Sequence, residues 1–272
     1  MKILMINLDQ SQDRLQAQQK QFKALDLTFD RLPAVCVNDI SEQVYYQYLT
    51  SWQRVLKQTE FACLFSHEKA WEEVLKINTP CVILEDDAVL TTDFAELLNH
   101  IEKQDFHHID FINLEVHGRK KIVGQPLGSF SYLDYQLLPL YLDKSGTGGY
   151  IIYPSGAKKL LNYFSNGNIA LADSFIYSCP DLHKYQIEPA VLLQSDKCQM
   201  YGVNFNDYQL NSLIGSIKNK IEIQLSLIQK IILKKNRVVG QIKLGIKTLI
   251  TLIKGNKREI TVKPERFYTN TK

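Results

Sequence analysis

Apolar and polar positions along this chain follow two rhythms. Ile3 to Leu8 is a short, largely apolar run of the kind that forms a buried strand. Behind it, Ser11 opens a segment in which Leu15, Phe22 and Leu25 recur at helical spacing, so a β-turn-α unit with Ser11 as its cap is predicted. Residues 30 to 60 carry an aromatic cluster (Tyr45, Tyr46, Tyr48, Trp52) without a clear period, and no element is assigned there. From Leu64 to Leu75 a helix is expected: Leu64, His67, Trp71, Val74 and Leu75 share one face, while Glu68, Lys69, Glu72 and Glu73 point largely elsewhere. His67 then faces inward, near the start of that helix. Cys81 to Leu84 reads as a buried strand that runs straight into Glu85-Asp86-Asp87. Asp110 to Leu114 and Tyr150 to Tyr153 predict further strands, the second leading into a helix behind Pro154 and Ser155 with Ala157, Leu160, Leu161 and Phe164 as its apolar stripe. Pro180 and Pro189 bracket a short unit ending in the strand-like Ala190 to Leu193. This alternation through about residue 200 is an α/β pattern, without internal repeats.

From about Asn211 the pattern changes to Ile, Leu and Lys at helical spacing, as in SLIGSIKNKIEIQLSLIQKIILKK and GQIKLGIKTLITLIKG. These segments read as basic amphipathic helices, and the chain divides into a body over 1–208 and a basic helical region over 209–272. Two readings of that region stand side by side. Its apolar residues can pack on the body as a lysine-faced hairpin, or its lysines can meet an anionic membrane surface, at up to about 1 kcal/mol each.

Charge sharpens the division. The net charge of +3 combines 18 basic against 26 acidic residues in 1–208, a net of −8, with 14 against 3 in 209–272, a net of +11. An acidic body argues against a nucleic-acid enzyme, whose cleft needs positive potential. The N-terminal apolar run is too short for a signal peptide, and no segment reaches the roughly 20 apolar residues of a membrane span. A cytoplasmic location is therefore expected, peripheral to the inner face of the membrane if the second reading of the basic region holds. The five cysteines are odd in number and scattered, which fits reduced thiols and no structural zinc.

Three adjacent carboxylates at the end of an apolar strand repel one another, and a bound cation relieves that repulsion. In extended chain Glu85 and Asp87 project to one side and Asp86 to the other, a pattern suited to a hard ion such as Mn²⁺ or Mg²⁺. The triplet alone also fits a solvated strand-to-loop turn. Its context is more specific. INLDQSQDR (Ile6 to Arg14), TEFACLFSHEKAW (Thr59 to Trp71), ILEDDAVL (Ile83 to Leu90), GGYIIYPSGAKKLL (Gly148 to Leu161) and ADSF (Ala172 to Phe175) occur in an order that resembles glycosyltransferase family 25 over roughly residues 1 to 200. That family comprises the lipooligosaccharide galactosyl- and glucosyltransferases of Gram-negative bacteria, with relatives among the collagen galactosyltransferases.

The resemblance implies a GT-A-like nucleotide-binding sandwich with a central mixed or parallel sheet, a UDP-hexose donor, a lipooligosaccharide acceptor, inverting transfer and dependence on Mn²⁺ or Mg²⁺. Carried onto this chain, it makes Glu85 and Asp86 part of the donor-diphosphate site and Asp87 the first metal ligand, with Glu85 beside it. Asn7, Leu8 and Arg14 fall in the donor pocket, and Ser66 and His67 match a Ser-His pair beside the nucleotide. Asp173 matches the acid that follows the GGY helix and is the leading catalytic base, although it can also serve as N-cap for Ser174 to Tyr177. Glu115 is the reserve base, and Asp196 is a late metal or acceptor ligand. The chain departs from the family where Thr59 and Ala62 replace common glycines, and where Gln10 and Gln12 replace a basic pair, so phosphate contact rests more heavily on Arg14. Ser145-Gly146-Thr147-Gly148-Gly149 can form a lid, an acceptor wall or only a turn, and it lacks the lysine spacing of a P-loop. Rival readings are a metal-dependent phosphodiesterase using the same acids and a non-catalytic glycan-binding module. A Cys63/His67 nucleophile is disfavoured, because no third group is evident to orient the base.

Overall fold

In a computed structural model that describes residues 1–106, 108–144, 146–205 and 223–269, the α/β pattern becomes a nine-stranded mixed sheet, counted among the described residues, with helices on both faces. β1 (Lys2–Asn7) lies parallel between β2 (Asp30–Pro33) and β3 (Cys81–Glu85). β3 meets β8 (Gly149–Ile152) in antiparallel fashion, and β8 passes the sheet on to β5 (Phe111–Asn113) and then β9 (Lys184–Glu188). β7 (Gln136–Leu142), β6 (Lys121–Val123) and β11 (Asn256–Arg258) complete it by antiparallel pairing. A separate two-stranded sheet joins β4 (Ala88–Leu90) to β10 (Leu192–Gln194).

The period-2 alternation of the central strands builds two cores. Leu4, Ile6, Cys81 and Ile83 face a layer containing α3 (Gln58–Ile77), α5 (Pro154–Ser165) and α6 (Ala172–Ser178), where Trp71, Leu160 and Phe175 are buried. Ile3, Met5, Val82 and Leu84 face α4 (Phe94–Glu102) and Phe22 of α1 (Gln12–Ala24). Each such side chain contributes roughly 1.5–3 kcal/mol when fully buried. The chain leaves β1 toward β2 on one side and returns to β3 on the other, so the crevice at the carboxyl ends of β1 and β3 is a topological switch point, where open α/β sheets bind ligands. Ile6 is in register with Glu85, which brings Asn7 level with the acidic turn.

Several local expectations change. α3 begins at Gln58, six residues before the apolar period becomes visible, because the Glu60 carboxylate accepts from the Lys57 N–H at 2.7 Å and caps the helix from within. His67 is consequently in the middle of a helix rather than at its start, and Leu75 lies on the outer side, partly exposed. Ser11 stands at the N-cap position of α1, but its side chain makes no capping bond. The unassigned stretch contains β2, a short 3₁₀ turn (Val37–Asp39) and α2 (Glu42–Gln47), with Tyr45 buried and its hydroxyl donating to the Leu56 carbonyl at 2.7 Å. All five cysteines are free thiols.

The basic region is helical over α7 (Leu227–Lys254), capped by Ser226, whose hydroxyl accepts from the Gln229 N–H at 3.2 Å. Its end is not helical. β11 adds an edge strand to β6, Ile260 and Phe267 are buried in the core, and Arg258 grips Glu188 with two bonds of 2.6 Å. The first basic segment is described only from residue 223, and its part before that and the division at 208/209 lie outside the described residues. Among the described residues, no helix is long and apolar enough to cross a membrane.

Candidate active site

Glu85 ends β3, Asp86 and Asp87 form the turn into β4, and the inner face of α1 holds that turn in place. Arg14, Gln18 and Gln21 recur at i, i+4 and i+7, and all three are buried. The Arg14 guanidinium pairs with Asp86 Oδ1 at 2.8 Å, while Asn7 Nδ2 donates to Asp86 Oδ2 at 2.7 Å. Gln18 Nε2 donates to the carbonyls of Asp86 (3.2 Å) and Ala88 (2.9 Å). Gln21 donates to Ala88 O and accepts from the Leu90 N–H, both at 2.9 Å. Both oxygens of Asp86 are therefore engaged by protein, and burial raises its pKa against the opposing pull of Arg14. Asp86 anchors the turn, and Arg14, expected to bind phosphate, spends a guanidinium nitrogen on that anchor.

Glu85 is oriented from the opposite side of the sheet. Trp71 Nε1 donates to the Tyr150 hydroxyl at 2.9 Å, and that hydroxyl lies 2.9 Å from His67 Nδ1. The ionised Glu85 carboxylate can only accept, so His67 presents Nε2–H to its Oε1 at 3.3 Å while Nδ1 meets the Tyr150 hydroxyl on the other side of the ring. Thr147 Oγ1 donates to the same oxygen at 3.1 Å. Burial opposes ionisation of Glu85, but the bonds from His67 and Thr147 and the charge of Arg14 outweigh it and hold its pKa below the ordinary value. Asp87 has no such help. Burial first, then the charges of Glu85 and Asp86, push its pKa up to about 8, and its buried Oδ1 has no hydrogen-bond partner among the described residues.

Two cavities meet at these acids. The first, of about 340 Å³, is lined by apolar groups from Ile6, Leu8, Ala34, Val35, Val37 and Ala62, and closes on Arg14, His67 and the three carboxylates. Ser66 also borders it, but its hydroxyl accepts from the Val35 N–H (2.9 Å) and donates to Ala62 O (2.7 Å), so it clamps the loop after β2 onto α3. The second cavity, also about 340 Å³, shares Cys63, Glu85 and Asp87 with the first and continues past Thr147 to Asp173, Gln194 and Asp196. The β4–β10 pairing and the bond from the Ser195 N–H to Asp87 O (2.9 Å) bring Asp196 to this place.

The candidate bases separate clearly. Asp173 is the second residue of α6 rather than its N-cap, which is Leu171; its Oδ1 accepts from the Ser174 N–H at 2.5 Å, and burial raises its pKa. It lines the second cavity. Glu115 does not. It is fully buried, its Oε1 accepts from the Gly148 N–H at 2.7 Å, and burial raises its pKa well above the ordinary value. Its position beside Gly146, whose φ of +107° suits glycine alone and whose Cβ would meet Glu115 Oε1 at 2.8 Å, makes it a support for the cavity wall formed by the glycine-rich run. Ser145 of that run lies outside the described residues.

The metal-ligand set differs from expectation too. Among the described residues, the His, Cys and carboxylate atoms that converge within 4.8 Å of one another belong to Cys63, His67 and Glu85. Glu85, Asp87 and Asp196 do not draw together as closely, because their like charges repel and Asp196 turns to Lys197 at 2.7 Å. The Cys63 trio is not a ready metal centre: burial keeps the thiol protonated, and the hydrogen-bond network places a proton on His67 Nε2. The unpartnered Asp87 Oδ1 is the better fit for a hard cation.

The family model described as glycosyltransferase family 25 (LPS biosynthesis protein) matches residues 1–176, and the chain belongs to that family. It is 26% identical over 194 residues to a glycosyltransferase 25 family member of Anopheles gambiae, covering 66% of this chain and 32% of that one. It is 30% identical over 158 residues to the lipooligosaccharide biosynthesis protein lex-1 of Haemophilus influenzae (52% and 51% covered), and 24% identical over 227 residues to procollagen galactosyltransferase 1-B of Xenopus laevis (70% and 35%). The chain thus spans about a third to a half of the length of these relatives. The glycosyltransferase GlyE of Streptococcus pneumoniae TIGR4 superimposes with a TM-score of 0.38 at 12% identity, over 95% of this chain and 66% of that one, a likeness too loose to carry an argument.

Proposed function

We propose that the chain transfers a hexose, galactose in preference to glucose, from a UDP-sugar to a hydroxyl of a lipooligosaccharide glycan at an anionic membrane surface, with inversion at the anomeric carbon. The observation that carries this reading is the meeting of two cavities at Glu85 and Asp87. The apolar slot between the loop after β2 and Ala62 suits a uracil base, and its acidic end suits a diphosphate that arrives with a cation. The names of the lipooligosaccharide protein and the procollagen galactosyltransferase support the acceptor class and the sugar.

Asp87 would hold the Mn²⁺ or Mg²⁺, with Glu85 or Asp196 as a further ligand. Bound there, the ion supplies Lewis-acid stabilisation of the departing nucleoside diphosphate. Asp86, pinned by Arg14 and Asn7, keeps the turn from swinging when the donor binds. Asp173, in the other cavity, takes the proton from the acceptor hydroxyl, and its raised pKa makes it a stronger base than an ordinary carboxylate.

Incubation with UDP-galactose, Mn²⁺ and a galactose-deficient lipooligosaccharide is expected to extend the glycan and release UDP, more slowly with UDP-glucose. Metal-dependent hydrolysis of simple phosphodiesters to a phosphomonoester and an alcohol, without transfer, would replace this reading with a hydrolase. Asp173→Asn is expected to keep donor binding and lower kcat by about 10²–10⁴-fold, and an unchanged rate would remove Asp173 as the base. The pH dependence of metal binding tests Asp87. With its folded pKa near 8 and its unfolded value in the ordinary carboxylate range, the folded state carries the extra proton between them. Metal-free stability from this group therefore falls as pH rises from the carboxylate range toward about 8, and a bound cation must displace that proton. The Mn²⁺-induced rise in Tm is accordingly expected to grow from about pH 6 to about pH 8, whereas a pH-independent rise would exclude Asp87 as a ligand.

A further inference from the structure

α7 inverts the usual arrangement of a surface helix. Its inner face, spaced at three and four residues, is largely polar or small. Asn236 Nδ2 donates to the carbonyls of Thr50 (2.8 Å) and Trp52 (3.2 Å), Gly240 lies so close to Gln53 that a Cβ would meet Nε2 at 2.3 Å, and Lys247 Nζ donates to Tyr177 O at 2.8 Å. The opposite face is mainly apolar and in solvent: Ile231, Val238, Ile242, Ile246, Leu249 and Ile253 form one stripe, interrupted near its start by exposed Lys235 and continuous from Val238 onward, with Leu249 68% and Ile253 88% exposed. Exposed Lys234 flanks the stripe on one side and Lys243 and Lys254 on the other, and no Asp or Glu occurs between Leu227 and Lys254. α7 is 28 residues long, and the stripe from Ile231 to Ile253 runs about 33 Å along it, far more than scattered surface apolar residues produce.

We infer that α7 is a monotopic membrane helix that lies flat in the headgroup region of an anionic bilayer, with the Ile242–Ile246–Leu249 stripe inserted and the flanking lysines on lipid phosphates. The charge pattern selects this occupant. A second copy of the helix would set cations against cations with no acid between them, whereas anionic lipid answers the apolar stripe and its basic borders together. The body-side contacts add an orientation. Tyr177 belongs to α6, whose first turn carries Asp173 into the second cavity, so the docked helix brings that cavity to the level of the lipid headgroups. A lipid-borne glycan then reaches Asp173 without leaving the bilayer; this last step rests on the transfer reading, and the docking itself does not.

The full chain is tested by co-sedimentation with vesicles of phosphatidylglycerol and phosphatidylcholine, and with vesicles of phosphatidylcholine alone, without donor or metal. Binding to the anionic vesicles is expected, weakened at least about tenfold by Ile242→Ser/Ile246→Ser/Leu249→Ser and also by Lys234→Glu/Lys243→Glu/Lys254→Glu. Both variants are expected to keep the wild-type Tm and transfer to a soluble acceptor. The inference is overturned if the wild type stays in the supernatant or the serine variant sediments undiminished. It is equally overturned if a wild-type dimer becomes a monomer in the serine variant, which would make the stripe an interface between copies, or if that variant unfolds, which would make it part of the core. Vesicle binding requires no turnover, so loss of docking and loss of the transfer reading are separate results.

Discussion

α1 and α7 both break the rule that a surface helix turns its apolar side inward, and they break it in opposite senses. α1 buries Arg14, Gln18 and Gln21 beside Ala17 and Phe22, since much of what lies beneath it is the carboxylate and carbonyls of the acidic turn. α7 exposes its isoleucines, because its inner surface is fastened by Asn236 and Lys247 to backbone carbonyls. A polar face turned inward marks a segment that needs exact hydrogen-bond partners, and an apolar face turned outward marks one that needs a different solvent. In each case the departure from ordinary patterning coincides with a proposed functional surface.

This contrast predicts a graded response to substitution. Arg14→Met should be the most damaging, costing about 3–5 kcal/mol in urea unfolding, because it strands the buried Asp86 carboxylate. Adding Asp86→Asn should recover part of that loss, and a double variant no better than the single would show that Arg14 acts mainly through other contacts. Gln21→Leu should cost about 1–3 kcal/mol by orphaning the Leu90 N–H and removing one of the two side-chain donors to Ala88 O, and should weaken Mn²⁺ binding measured by calorimetry. A stable Gln21→Leu protein with normal Mn²⁺ affinity would break the link between α1 and the acids. Ile246→Ser should change unfolding free energy by no more than about 0.5 kcal/mol, since the side chain has little native burial to lose. A cost like that of a core isoleucine would erase the contrast.

The sequence made some of this visible. The apolar run Cys81 to Leu84 announced both a strand and the carboxyl end on which three acids sit, and Pro154 marked the first turn of α5. The start of α3 was hidden, because its first turn is fixed by the Glu60 bond to Lys57 rather than by apolar repetition. The role of α1 was misread for a related reason: Leu15 and Leu25 drew attention by their hydropathy but are only partly buried, while the spacing of Arg14, Gln18 and Gln21 carries no hydrophobic signal. Tyr150 was legible as a strand residue, but its link between Trp71 and His67 joins residues about 80 positions apart through the register of β8 on β3. Glu115 looked like a reserve base because it follows a strand, and only the packing of Gly146 and Gly148 around it shows that it faces the wall. The three-residue β11 was invisible, since Asn256-Lys257-Arg258 is a polar edge strand held by backbone pairing and by Glu188.

That edge strand changes what kind of object α7 is. It begins two residues after the helix ends, continues the main sheet, and is followed by Phe267 in the core and bridged to Thr91. The helix is therefore a rigid handle and not a tether. On a bilayer it would set the attitude of the entire sheet, so the proposed transfer would take place by lateral diffusion to lipid-borne acceptors, at one fixed height and tilt. Removal of the chain from α7 onward would take away an edge strand and a core aromatic along with the handle, and would read as loss of fold where point changes on the stripe read only as loss of position.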